Sequence, residues 1–199
     1  MAEDVTTRGS RSDARRSKLL ATARKLFAHQ GFHLTGMSQI ARESGIAVGQ
    51  IYRDFASKEA IIVALADESL HEWLEEEMLD AAIEAKDAKA IDAWIMRMLM
   101  DDCDFEERRM MVEVIAESGR SPIIAELNFK ILASFRKLLD RALLSLAPAT
   151  SPVIRIQIIN LIQILSWGIA VGQELDPDMD HAAMREYAAY LVRREIGID

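Results

Sequence analysis

The chain has 199 residues, half of them hydrophobic, with 24 Lys/Arg against 32 Asp/Glu and a formal net charge of −8. That length can bury a substantial core and admits one domain or two small ones. Nine glycines and four prolines leave no long flexible linker, and the polar start MAEDVTTRGSRSDARRS lacks the apolar stretch of a secretory signal. Cys103 is the only cysteine, which excludes an internal disulfide and a cysteine-rich zinc site. A reducing, cytoplasmic compartment fits, with Cys103 read as a small packing residue and a redox sensor as the minority alternative.

The net charge hides a split. Residues 1–58 hold ten Lys/Arg and five Asp/Glu, whereas residues 59–199 hold fourteen and twenty-seven. This asymmetry is the pattern of a small nucleic-acid module joined to an acidic body. Arg8, Arg11, Arg15 and Arg16 fall in the first sixteen residues. They can form a basic arm near the DNA backbone or minor groove, or a disordered tail.

The periodicity is helical almost throughout. Leu19, Leu20, Ala23, Leu26 and Phe27 recur at three- and four-residue spacing, and Gly31 offers a stop. Thr35 can cap a short helix over 36–44, Ser44-Gly45 reads as a turn, and a second short helix covers about 48–55. Ser57 is an N-cap for a longer helix that ends in the acidic run EEEMLD, where the charges oppose the macrodipole. Further helices are predicted near 88–101, 104–118, 121–147, 152–174 and 180–196. The prolines Pro122, Pro148, Pro152 and Pro177 separate them. No segment alternates with a two-residue period, so the fold class is all-α.

The segment QIARESGIAVGQIY fits a helix-turn-helix. Ala41 is small where two helices approach, Gly45 can take a left-handed turn, and Ile40, Ile46 and Ile51 form the core that locks the pair. On the second helix, Gln50 and Arg53 share one exposed face and suit base edges or phosphate. Tyr52 suits a phosphate or a thymine methyl, or else it is a core tyrosine. Lys58, following a helix start, suits phosphate, or else it is a solvated lysine.

Over Ser17 to Leu65 the sequence closely resembles the N-terminal domain of the tetracycline-repressor (TetR) family. The matching features are the AxxLF of the first helix, Gly31-Phe32, Thr35, Ile40-Ala41, Gly45, Gly49, Ile51-Tyr52, Phe55 and Ser57-Lys58-Glu59. The resemblance implies an all-α homodimer: a three-helix DNA-binding domain with a C-terminal helical ligand-binding and dimerisation domain. It also implies a transcriptional regulator, usually a repressor, on a palindromic operator in double-stranded DNA and released by a small-molecule effector. The expected layout is an arm at 1–12, the DNA-binding domain at 13–73 with its helix-turn-helix at about 36–55, and the ligand and dimer domain at 74–199. Thr35, Gln50, Tyr52, Arg53 and Lys58 are the DNA-binding candidates. Three positions depart from the pattern: Ala47 stands where Ser or Thr commonly caps the second helix, Gly36 replaces a hydroxyl residue, and Asp54 places an acid near phosphate. They support one alternative, a small-molecule-binding or protein-interaction module with a decayed DNA-binding end.

Helix 152–174 carries the uncharged run IQIINLIQILSWGIAVG. It is read as a dimer interface, with an internal core helix and a membrane span as the alternatives. Ile158, Leu165, Ala183, Tyr187 and Leu191 are its interface candidates. Adaptable apolar residues over 88–147 predict an apolar effector pocket with few polar anchors. The candidates are Trp94, Met96, Met100, Phe105, Met110 and Phe129, with Asn128, Asn160 and Gln163 as anchors, and the effector is expected to be hydrophobic or aromatic. No enzyme, cofactor or metal is expected. The four histidines lack ligand spacing, and Glu113 with Glu117 suits a salt-bridge role better than acid/base catalysis.

Overall fold

In a computed structural model the described residues are 3–100 and 104–197, the side chains of 3–11, 71 and 72 excepted. Cys103 and the side chains of Arg8 and Arg11 therefore lie outside the description. The described chain is helical, with elements α1 (Glu3–Gln30), α2 (Met37–Ser44), α3 (Val48–Asp54), α4 (Lys58–Leu74), α5 (Glu76–Glu84), α6 (Ala88–Met100), α7 (Phe105–Ser118), α8 (Pro122–Leu146), α9 (Pro152–Leu175) and α10 (His181–Ile196). All-α is the observed class. The segment expected as an arm at 1–12 is helical from Glu3 onward, because no proline interrupts the run before Gln30.

The chain divides into two compact units, one of residues up to Leu70 together with 104–128, the other of 71–103 together with the remainder from Phe129. A linear boundary at 73/74 misses the return of α7 to the first unit. In that unit Leu19, Leu20, Ala23 and Phe27 of α1 are buried with Ile40 of α2, Ile51 of α3 and Ile61, Ile62 and Leu65 of α4. Burying each such side chain stabilises by about 1.5–3 kcal/mol. Two short helices too small to stand alone are thereby fixed against a long one.

In the second unit α6, α9 and α10 pack on one another. Ile91, Ile95 and Leu99 of α6, Ile158, Ile159 and Ile162 of α9, and Ala188 and Val192 of α10 are buried. The acidic run after α4 behaves differently from the single helix expected. Glu75 takes a left-handed conformation (φ 45°), ending α4, so that Glu76 and Glu77 open α5. Carboxylates that would oppose the dipole at a helix end now favour it at a helix start. The last carbonyls of α4 are satisfied from α6: Trp94 Nε1 donates to Leu74 O at 2.9 Å and Arg97 Nη2 to Trp73 O at 2.5 Å.

Candidate nucleic-acid interface

The turn between α2 and α3 is built on Gly45, at φ 69° and ψ 19°, whose backbone N–H donates to Ala41 O. A side chain there would be strained by the left-handed backbone. Ser44, fully buried, closes the turn from inside: its hydroxyl donates to Ala41 O and accepts from the Ile46 N–H, both at 3.3 Å. Ile51 is fully buried under α3, which turns its opposite face outward. Gly49, Tyr52 and Arg53 are exposed on α3 and Gln50 is half-buried. Tyr52 is 53% exposed, which removes the core-tyrosine reading.

Neither short helix has a side-chain cap. Gly36, not Thr35, is the N-cap of α2, and Ala47 is the N-cap of α3. Thr35 is fully buried, and its hydroxyl donates back to Gly31 O at 2.9 Å. Among the DNA-binding candidates, Thr35 is thus corrected: its hydroxyl locks the turn after α1 and has no surface to offer DNA.

Lys58 is also partly diverted. Its ammonium donates to Phe32 O at 2.5 Å and Thr35 O at 2.9 Å and lies 4.1 Å above the centre of the Phe32 ring. Two of its three N–H donors are committed inside the protein, leaving one donor and the charge for a phosphate. Burial pulls this ammonium below the ordinary lysine range, and the carboxylates of Glu59, Glu117 and Glu113 oppose that pull.

The same turn is held from the other side by α7. Glu113 Oε2 accepts the Phe32 N–H at 3.0 Å, and Glu117, almost fully buried, stands 2.7 Å from His33 Nε2 and 2.9 Å from Arg120 Nη1. Glu113 and Glu117 are thereby structural carboxylates that grip residues 31–33. Sequence spacing gave their salt-bridge character but not their partners, some eighty residues upstream.

Asp54 does not face the solvent alone. Its carboxylate lies 3.5 Å from Arg15 Nε of α1 and accepts from Gln50 Nε2 at 3.2 and 3.3 Å. Arg53 Nη2 donates to Gln50 Oε1. Arg16 lies 4.6 Å over the Phe55 ring. Arg15 and Arg16 therefore tie α1 to the helix-turn-helix instead of forming a free arm.

The effector candidates divide between the two units. Phe105, Met110 and Asn128 belong to the first unit, and Trp94, Met96, Met100, Phe129, Asn160 and Gln163 to the second. Trp94 and Met96 are core, Met100 and Phe129 are exposed, and Phe105, 40% exposed, lies against the His29 ring. Gln163 is buried, its Oε1 accepting from Arg136 Nε at 3.0 Å. Among the interface candidates Ala183 and Tyr187 are exposed and Leu165 and Leu191 half-buried, but Ile158 is 3% exposed. Ile158 is corrected to the chain's own core, because it lies on the side of α9 away from the exposed Val153, Gln157 and Ile164. Helix α9 is long and apolar enough to cross a membrane by length and composition. It nonetheless packs on α6 and α10, and Ser166 Oγ donates to Met98 O at 2.7 Å.

Residues 19–65, which span this whole assembly from α1 to α4, match the model of the bacterial regulatory proteins of the tetR family. Over those residues the chain is similar to the TetR family. Its relatives include the HTH-type transcriptional regulator UidR of Escherichia coli K12, 29% identical over 118 residues that make up 55% of each chain. The chain thus spans about half the length of the curated relatives it matches first. Two solved structures share the fold at low identity. Salmonella enterica GusR has a TM-score of 0.70 at 23% identity, covering 92% of this chain and 96% of that one. SmeT in complex with triclosan has a TM-score of 0.72 at 16% identity, covering 91% and 90%. The curated relatives LmrA of Bacillus subtilis and HbdR of Aromatoleum are likewise HTH-type transcriptional regulators.

Proposed function

We propose that this chain is a DNA-binding transcriptional regulator of the TetR family, acting as a homodimeric repressor on a palindromic operator in the cytoplasm. The observation that carries the reading is the outward face of α3, where Gly49, Tyr52 and Arg53 are exposed on a helix whose opposite side is locked by buried Ile51. A short helix held that way can enter a major groove and present donors to base edges. Gln50 flanks that face, and Lys58 keeps one N–H donor and its charge for a phosphate.

Dimerisation is proposed through α9 and α10. Val153, Ile164 and Leu175 of α9, with Tyr187 and Tyr190 of α10, are each more than half exposed. An apolar stripe on two adjacent helices fits a second copy of the same two helices, and the two-fold axis then requires a palindromic operator. A small hydrophobic or aromatic effector is proposed for the second unit, in keeping with its apolar helices and with the triclosan held by SmeT. Release of DNA requires that effector to favour one of two states that differ in operator affinity.

The test is enrichment of genomic fragments by the purified protein, followed by titration at several salt concentrations. A regulator gives a few enriched palindromic fragments whose affinity falls steeply with salt. The uncapped starts of α2 and α3 favour the alternative of a decayed DNA-binding end, which yields no enriched fragment at any salt concentration.

A further inference from the structure

We propose that Asp54 is a specificity-determining residue of the DNA-reading face, acting through Gln50 so that Arg53 alone reads the base, and that this base is guanine. The inference rests on the DNA-binding reading above. Arg53 lies on the exposed line of α3, one turn after Gly49, around which a built side chain would meet nothing within 4 Å. Asp54 sits toward α1, against Arg15 Nε at 3.5 Å, with its side chain 24% exposed. Its charge is thus offset by a neighbouring helix rather than turned toward phosphate.

The consequence falls on Gln50. Its amide nitrogen donates to both carboxylate oxygens of Asp54, at 3.2 and 3.3 Å, and its amide oxygen accepts from Arg53 Nη2. Reversing the amide would set its oxygen against a carboxylate and its N–H groups against a guanidinium, so Asp54 fixes which way the amide points. A glutamine reads adenine by accepting from N6 and donating to N7 with the two ends of one amide. Here both ends are engaged within the protein, which closes that pairing. Arg53 spends one contact on Gln50 and keeps its other N–H donors, a set that matches the paired acceptors O6 and N7 of guanine. Asp54 therefore orders Gln50, and Gln50 steadies the guanidinium that does the reading.

The experiment is selection from random double-stranded DNA with the full chain as wild type, Asp54→Ala, Asp54→Asn and Gln50→Ala, each checked for helicity and unfolding midpoint. Asp54→Asn retains the shape of the side chain, so a folding defect in the alanine variant does not decide the outcome. Wild type is expected to prefer guanine over adenine at one half-site position by roughly 5- to 150-fold, the range of a good bidentate base contact. Gln50→Ala keeps guanine as the preferred base. The Asp54 variants lose most of that preference and admit adenine, while their affinity for random DNA holds or rises because an acid has been removed. A residue that merely supports the fold would instead weaken all sequences alike. Unchanged base preferences in the folded Asp54 variants overturn the proposal, as does a wild-type preference for adenine that Gln50→Ala abolishes. Wild-type protein that selects no sequence at all overturns the DNA-binding reading itself.

Discussion

The Lys58 ammonium donates to the Phe32 carbonyl at 2.5 Å and rests 4.1 Å above the centre of the same residue's ring. One side chain thereby fixes both the backbone and the aromatic face of the turn that leads into α2. Lys58→Met keeps the aliphatic stem and removes the donors, leaving the Phe32 and Thr35 carbonyls short of a partner. Loss of such a contact costs about 1–3 kcal/mol, so the thermal midpoint is expected to fall by several degrees. An unchanged midpoint would contradict the clamp.

Two glycines in left-handed conformations separate backbone strain from crowding. Gly31 (φ +85°) and Gly45 (φ +69°) both strain any replacement, but a built Cβ at Gly31 meets Glu113 Oε1 at 3.2 Å, whereas at Gly45 the nearest atom is the flexible Lys18 Nζ at 3.8 Å. Each alanine variant is expected to lose about 1–2 kcal/mol from the left-handed backbone alone. Gly31→Ala should lose more, because the carboxylate that accepts the Phe32 N–H must shift. Urea unfolding of the two variants measures the difference, and equal losses would show that Glu113 yields freely.

Acid should loosen the start of α4. The hydroxyl of Ser57, and then the backbone N–H of Glu59 itself, hold the Glu59 carboxyl below the ordinary glutamate range, despite partial burial. A carboxylate whose folded value is depressed contributes stability that is present above its unfolded value and lost as pH falls through the folded one. Wild type should therefore lose more stability than Glu59→Gln between neutral pH and the acidic range in which this group takes up its proton. Parallel pH profiles for the two proteins would rule the contribution out.

Helix α9 predicts opposite outcomes for two isoleucines. Ile164 is 65% exposed and Ile158 is 3% exposed. Wild type is expected to sediment as a dimer and Ile164→Glu as a folded monomer, since a charge in an apolar interface is costly. Ile158→Glu buries an unpaired charge within one chain and should unfold it. Sedimentation combined with circular dichroism distinguishes them. A wild-type monomer at micromolar concentration would contradict the proposed interface.

Much of this was legible in the sequence because it is local. Apolar periodicity marked Leu19, Leu20, Ala23 and Phe27 as one buried face, and Ser44-Gly45 marked the turn by its own chemistry. What stayed hidden depends on partners remote in sequence. Nothing near Lys58 shows that the Phe32 and Thr35 carbonyls will accept its hydrogen bonds, and nothing near Glu113 points to the Phe32 N–H. Ile158 was misplaced because α9 is apolar nearly all round, and periodicity cannot tell a face covered by α6 and α10 from one left exposed. Asp54 stood out as an anomaly, but only the approach of Arg15 explains why the acid is tolerated.

The central claim is that α3 reads DNA, and the most direct test is the Arg53→Ala variant titrated against an enriched operator and against random DNA at one salt concentration. Arg53 is exposed, and its side-chain hydrogen bond runs to Gln50 on the same helix. Its loss should therefore spare the fold. The account predicts operator affinity weakened by about 1–3 kcal/mol, with random-sequence binding much less affected. A folded Arg53→Ala protein that binds the operator as tightly as wild type would contradict it.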